Sequence, residues 1–86
     1  MYDGQRVKVQ VYLADGTRGD TYTVTSRGEG AAELALRTAA YLPSGCRIRL
    51  ASAGLMWTYR VGRVAGLPAV TWEKGWKPPA KKGLIG

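Results

Sequence analysis

The sequence predicts an α+β domain in which one helix packs on one face of a five-stranded antiparallel sheet. Five short segments alternate apolar and polar residues with the period of a β-strand. One segment rich in alanine and leucine has the spacing of an amphipathic helix. The predicted order is β-β-α-β-β-β, and because alternating strands leave one apolar face, a single helix can cover that face of a curved sheet.

The first two strands are predicted to form a hairpin around an Asp15-Gly16 turn. Residues 6–13 alternate strictly between two sides. The side predicted to face the core carries Val7, Val9, Val11 and Leu13, and the opposite side carries Arg6, Lys8, Gln10 and Tyr12. Residues 21–25 alternate again and place Tyr22 and Val24 toward the core.

The helix is predicted over residues 29–42, where alanine and leucine dominate. The preceding "SRGE" has the form of a capping box, in which Ser26 accepts from the backbone N–H of Glu29 and Glu29 reaches back. The predicted apolar stripe consists of Ala32, Ala35, Leu36, Ala39 and Leu42. Pro43 disfavours helical geometry at Leu42, so we expect the helix to end there.

The remaining strands are predicted at 46–51, 55–64 and 69–74. Alternation assigns to the core side Cys46, Ile48, Leu50, Leu55, Trp57, Tyr59, Val61, Val70 and Trp72. From residue 75 the composition changes to two prolines, three lysines and three glycines in twelve residues. We therefore predict a single α+β domain over residues 1–74 and a basic, partly disordered C-terminal tail over residues 75–86.

The charge of the chain favours a polyanionic partner. Its 86 residues carry 13 lysines and arginines against 6 acids, a net charge of +7, and five of the six acids precede residue 34. A strongly basic second half is typical of proteins that bind nucleic acid, a nucleoprotein or an acidic protein surface. The alternative is a charge that only keeps a small domain in solution.

Cysteine usage and hydropathy predict a cytoplasmic protein that does not enter a membrane. A single cysteine, Cys46, permits no internal disulfide, as expected in a reducing compartment. The N-terminus lacks the pattern of a signal peptide, and no apolar run approaches the ~18–20 residues of a membrane span.

The composition argues against catalysis. The chain contains no histidine, which removes Ser–His and Cys–His mechanisms and the commonest metal ligand. One cysteine without histidine excludes ordinary zinc sites, and no phosphate-binding loop motif occurs. We therefore predict a non-enzymatic protein that needs neither a metal nor a cofactor.

The predicted sheet face opposite the helix is the candidate binding surface. It would carry five cations and one acid, namely Arg6, Lys8, Arg47, Arg49 and Arg60 with Glu73. Arginine pairs bidentately with phosphate or carboxylate, and each neutralised phosphate releases counterions. The alternative is an ordinary solvated sheet face. Tyr12 is predicted to be exposed there, and Trp76 either anchors a basic tail or folds back onto the edge of the domain.

Four stretches of the sequence together resemble a known family. They are the alanine-rich "AAELALRTAA", then "SGCRIRL", "GLMWTYR" and the tryptophan of "VTWEK", covering about residues 24–74. This layout is similar to that of the small phage-encoded anti-CRISPR proteins, most of all the ninth family of type I-F inhibitors. Residues 62–69 form a longer loop than in that family, and the tail after Gly75 is additional.

The resemblance implies a non-enzymatic inhibitor of a type I crRNA-guided surveillance complex (Cascade). Such proteins bind its backbone subunits along the channel where target DNA pairs, and their basic residues contact acidic patches and attract duplex DNA. The matching cations here are Arg47, Arg49, Arg60, Arg63 and Lys74. Two other functions stay open: a small basic DNA- or RNA-binding accessory protein, and a phage structural or assembly subunit that uses edge strands and Trp76.

Overall fold

The computed structural model of the protein describes residues 1–79. It contains five strands and one helix, in the order β1 Asp3–Tyr12, β2 Arg18–Arg27, α1 Ala31–Ala39, β3 Arg47–Ser52, β4 Leu55–Val64 and β5 Leu67–Trp72. All neighbouring strands are antiparallel and form one open sheet ordered β2-β1-β3-β4-β5. The predicted α+β class is therefore confirmed. No helix within residues 1–79 is long and apolar enough to cross a membrane.

The core lies between α1 and one face of the sheet. The helix packs on β3, β4 and β5. The buried apolar residues of this core are Val7, Val9, Val11, Leu34, Ala35, Ala39, Cys46, Ile48, Leu50, Tyr59 and Val61. Burial also raises the pKa of the Tyr59 hydroxyl above its ordinary value. Apolar burial on one face is what the period-2 pattern of the strands predicts.

The helix begins later than predicted, because the "SRGE" residues form a turn of their own. Ser26 Oγ donates to Glu29 Oε1 at 3.1 Å, and the Arg27 backbone N–H donates to the same oxygen at 2.6 Å. These bonds to Arg27 and Ser26, with the nearby charge of Arg37, lower the pKa of the Glu29 carboxyl. The residue that caps the helix is Gly30, whose backbone N–H faces Glu33 Oε1 at 3.5 Å.

The buried stripe of the helix also differs from the predicted one. Leu34 is fully buried, whereas Leu36, which the prediction placed in the stripe, is 41% exposed. Ala32 is exposed as well. Residues two apart on a helix point about 200° away from each other, so only one of the two leucines can face the sheet. The shifted stripe runs through Leu34, Ala35 and Ala39.

Four residues predicted for the core side are exposed at the periphery of the sheet. Leu13 is 43%, Leu55 60% and Trp72 57% exposed, and Tyr22, on the edge strand β2, is 40% exposed. Leu13 follows β1, Leu55 opens β4, and Trp72 closes β5. A nine-residue helix is about 14 Å long and a ten-residue strand about 33 Å, so α1 cannot cover the ends of the sheet.

Two hairpin turns place an alanine in the left-handed region. Ala53-Gly54 joins β3 to β4 and Ala65-Gly66 joins β4 to β5, with alanine φ values of 52° in both turns. Positive φ at both central residues is the signature of a type I′ turn, in which Asn-Gly is the favoured pair.

Replacement of Ala65 by asparagine is expected to stabilise the protein. A left-handed conformation costs alanine about 1 kcal/mol, whereas asparagine tolerates it. A65N should therefore raise the free energy of unfolding by about 0.5–1 kcal/mol. Urea denaturation measures this gain. Ala40→Asn is the control, because Ala40 has a right-handed φ of −55°, and a gain of equal size there would contradict the turn assignment.

Candidate polyanion-binding face

The outer face is the sheet surface opposite the helix, and strand register determines which side chains meet on it. Its central cross-strand rows are Tyr12–Arg47–Arg60, Gln10–Arg49–Thr58 and Lys8–Ala51–Met56. Arg6 lies two residues before Lys8 on β1 and is on the same face. The structure thus brings together Arg6, Lys8, Arg47, Arg49 and Arg60 on one face, as the alternation predicts.

The C-terminal segment, residues 73–79, crosses this outer face. It leaves the edge of the sheet where the Glu73 backbone N–H donates to the Thr58 carbonyl at 2.8 Å. A turn follows, closed by the Trp76 N–H on the Glu73 carbonyl at 3.3 Å. At its far end, a Cβ placed on Gly16 would lie 2.6 Å from the ring of Pro79. The segment therefore reaches the β1–β2 turn, and residues 75–79 of the predicted tail lie against the sheet.

Trp76 is the centre of this contact. Its ring lies edge-on to the ring of Tyr12, with 5.1 Å between centroids and 63° between planes. The guanidinium groups of Arg47 and Arg49 lie 5.3 Å and 5.6 Å from the Trp76 ring centroid, and Arg49 is also 5.4 Å from that of Tyr12. Two cations on the face of a tryptophan are attracted by its ring quadrupole, so the segment is held by packing and by charge.

The same two arginines donate hydrogen bonds to the segment. Arg47 Nε donates to Glu73 Oε1 at 2.8 Å, and Arg49 Nη2 donates to the Trp76 carbonyl at 2.9 Å. Arg49 Nε also donates to Thr58 Oγ1 at 3.3 Å. Both arginines are half-buried as a result. These two predicted binding residues bind the protein's own C-terminal segment.

The prediction that Tyr12 is exposed is wrong. Tyr12 points to the outer face, as the alternation requires, but it is only 5% exposed. Trp76 and the guanidinium of Arg49 lie on its ring. Of the two interpretations of Trp76, the observed contact is a tryptophan folded back onto the domain.

The exposed cations of the outer face and its segment include Arg6, Lys8, Arg60, Lys74 and Lys77, and Arg18 lies opposite Tyr12 at the β2 edge. Arg60 keeps half of its side chain in solvent while Nη1 lies 3.8 Å from Glu73 Oε2. Lys74 and Lys77 line an open cleft of about 640 Å³, which Met56 and Trp72 line as well. Lys77 was not among the predicted site residues. The signal in the sequence that could have identified it is the pair of prolines that follows, because prolines favour an extended backbone.

Arg63 lies apart from this group. Its Nη2 donates to the Leu42 carbonyl just after the helix at 2.9 Å, and its Nη1 donates to the Gly62 carbonyl at 3.0 Å. Arg63 is therefore on the helix side of the sheet. The structure does not bring this predicted site residue to the outer face.

No group of three or more potential metal-ligating residues occurs among residues 1–79, and Cys46 is buried in the core. No family model, curated protein or solved structure matches the chain. The resemblance to the anti-CRISPR inhibitors thus stays a prediction that rests on residues 24–74.

Proposed function

We propose that this chain is a non-enzymatic binding protein that docks its outer face on a polyanionic nucleoprotein surface. The observation that supports this most is the set of exposed cations on that face and its C-terminal segment. Glu73 does not offset them, because its carboxylate is already shared between Arg47 and Arg60. A surface on which cations outnumber free carboxylates concentrates anions and speeds their association.

The partner that the sequence resemblance suggests is a type I crRNA-guided surveillance complex in the bacterial host cytoplasm. In this proposal Arg6, Lys8 and Arg60 contact acidic patches on the backbone subunits, and the bound domain blocks the channel in which target DNA pairs. Lys74 and Lys77 extend the contact along the C-terminal segment. Inhibition then needs occupancy of the channel and no chemical step.

Direct binding of single-stranded nucleic acid is a second candidate function. The cleft beside the C-terminal segment is lined by Lys74, Lys77 and the half-buried Trp76. Aromatic rings next to cations are the elements with which proteins bind single strands without reading their sequence. This candidate requires affinity for bare nucleic acid that falls steeply with salt.

Co-elution distinguishes the two candidates. The protein is mixed with a purified type I-F surveillance complex, and target DNA binding by the complex is measured in parallel. We expect co-elution and loss of target DNA binding. No co-elution with unchanged target binding would contradict the inhibitor proposal. A mobility shift of bare single-stranded DNA at about 50 mM salt would then assign the nucleic-acid function.

Removal of two free cations should weaken this binding. Arg6→Gln with Lys8→Gln is expected to lower affinity for the surveillance complex by about 10–100-fold, with the free energy of unfolding changed by less than about 1 kcal/mol. The control is Arg37→Gln with Arg63→Gln, which removes the same charge from the helix and the helix side of the sheet. Equal losses of affinity in both variants would show that only net charge matters and that the outer face is not the site.

A further inference from the structure

The two edges of the sheet are protected unequally. β5 forms one edge, is six residues long, and contains Pro68, which cannot donate a backbone hydrogen bond. β2 forms the other edge and runs for ten residues without proline, and between two irregularities its register with β1 is unbroken from Thr21 to Thr25. An exposed edge without such protection is a template for a further strand. Among residues 1–79, the outer edge of β2 over residues 21–25 is therefore the place where a strand can be added.

The residues at the centre of β2 favour pairing with a further strand. Residues 21–25, "TYTVT", are uncharged and consist of residue types that favour strands. Tyr22 is 40% exposed on the helix side, since α1 packs on β3, β4 and β5. The nearest charged residues in the strand, Asp20 and Arg27, flank this run and do not interrupt it.

The run is self-complementary in one antiparallel register. With a two-fold axis through Thr23, Tyr22 lies opposite Val24 of the second copy, and Thr21 opposite Thr25. Aromatic–β-branched and Thr–Thr pairs are stabilising cross-strand pairs. A shift by two residues in one direction places Asp20 opposite Val24, and a shift in the other places Arg27 opposite Thr21. The flanking charges therefore favour the register centred on Thr23.

We propose that β2 is a self-association edge and that its occupant is a second copy of this chain in that register. The product is a continuous ten-stranded sheet with both helices on one side and both outer faces on the other. Lys8 lies opposite Thr23, so the Lys8 residues of the two copies are three strand spacings apart, about 14 Å. Dimerisation thus joins two cationic faces into one.

Charge gives this association a salt dependence of its own. Each copy carries a net charge of +7, so the copies repel, and added salt screens the repulsion and strengthens the dimer. Binding to a polyanion has the opposite dependence, because salt weakens it. The self-association does not rest on the proposed function, and either can fail without the other.

Cysteine cross-linking tests the register. In Thr23→Cys the two cysteines face each other across the axis, with Cα atoms about 4.5–5.5 Å apart, within reach of a disulfide. In Thr25→Cys the two cysteines are about 14 Å apart along the strands. Cys46 is buried and does not compete. Light scattering of the unmodified protein measures its oligomeric state at low and high salt.

We expect T23C to form a covalent dimer under mild oxidation while T25C alone does not. When the T21C and T25C proteins are mixed, we expect a covalent dimer in which position 21 of one copy is linked to position 25 of the other. Unmodified protein should show a dimer fraction that rises with concentration and with salt. A protein that is monomeric at high concentration in both salts, or equal cross-linking of T23C and T25C, would overturn the proposal.

Discussion

Replacement of Leu34 by alanine is expected to lower the free energy of unfolding by about 3 kcal/mol. Leu34 is fully buried and is the largest side chain that the helix contributes to the core. Its truncation leaves a cavity between α1 and the sheet that a nine-residue helix cannot close by shifting. A domain of this size has about 5–10 kcal/mol of stability, so the midpoint of urea denaturation should fall strongly.

Leu36→Ala is the matched control, because it removes the same atoms two residues away. Leu36 is 41% exposed, so its truncation should change the free energy of unfolding by about 1 kcal/mol or less. The two variants together determine which face of α1 packs on the sheet. If L36A is the more damaging variant, the helix is rotated from the orientation described.

Replacement of Trp76 by alanine is expected to cost about 2–3 kcal/mol and to release the C-terminal segment. The indole is half-buried between Tyr12 and two guanidinium groups, and its loss removes the aromatic pair and both cation–π contacts. Released residues become accessible to protease. Trypsin should therefore cleave after Lys74 faster in W76A than in the unmodified protein, while the urea midpoint falls.

Trp72→Ala provides the comparison for this variant. Trp72 has the same side chain four residues earlier but is mostly solvent-exposed, so its loss should cost about 0.5–1 kcal/mol or less. Cleavage after Lys74 should stay as slow as in the unmodified protein. Equal destabilisation by W72A and W76A would contradict the packing of the C-terminal segment on the outer face.

The strands could be predicted because apolar and polar residues alternate along each of them with a period of two. Side chains of directly paired residues lie on the same face, so the assignment made for one strand holds for its neighbours. β4 was predicted at residues 55–64 and is found at Leu55–Val64. Arg47 and Arg49 were assigned to the side opposite the core, and they lie there in the rows of Tyr12 and Gln10. Local alternation is sufficient for such assignments, since one slip by a residue would expose every apolar side chain.

Two features could not be predicted in this way: which side of the helix faces the sheet, and which residues of the outer face are covered. Alanine-rich helices carry a weak apolar stripe, so the difference between Leu34 and Leu36 depends on where the helix meets the sheet. The burial of Tyr12 depends on Trp76, a residue far along the chain from it. Composition identifies residues 75–79 as proline-containing and basic, but only tertiary packing brings them onto the sheet.

This long-range contact decides which cations are available to a partner. Arg47 and Arg49 hold the C-terminal segment through Glu73 and Trp76, and therefore contribute to the shape of the outer face more than to its free charge. The resemblance to anti-CRISPR inhibitors had placed both among the partner contacts. In the proposed function Arg6 and Lys8 take over that role, since the segment leaves them exposed.

The packing of the C-terminal segment is tested most directly by the proton NOE spectrum of the unmodified protein. We expect cross-peaks between the indole protons of Trp76 and the ring protons of Tyr12, whose centroids lie 5.1 Å apart. We also expect cross-peaks from the same indole to the side-chain protons of Arg49. A Trp76 indole with cross-peaks only to its neighbours in the chain would contradict this packing and leave Arg47, Arg49 and Tyr12 open to a partner.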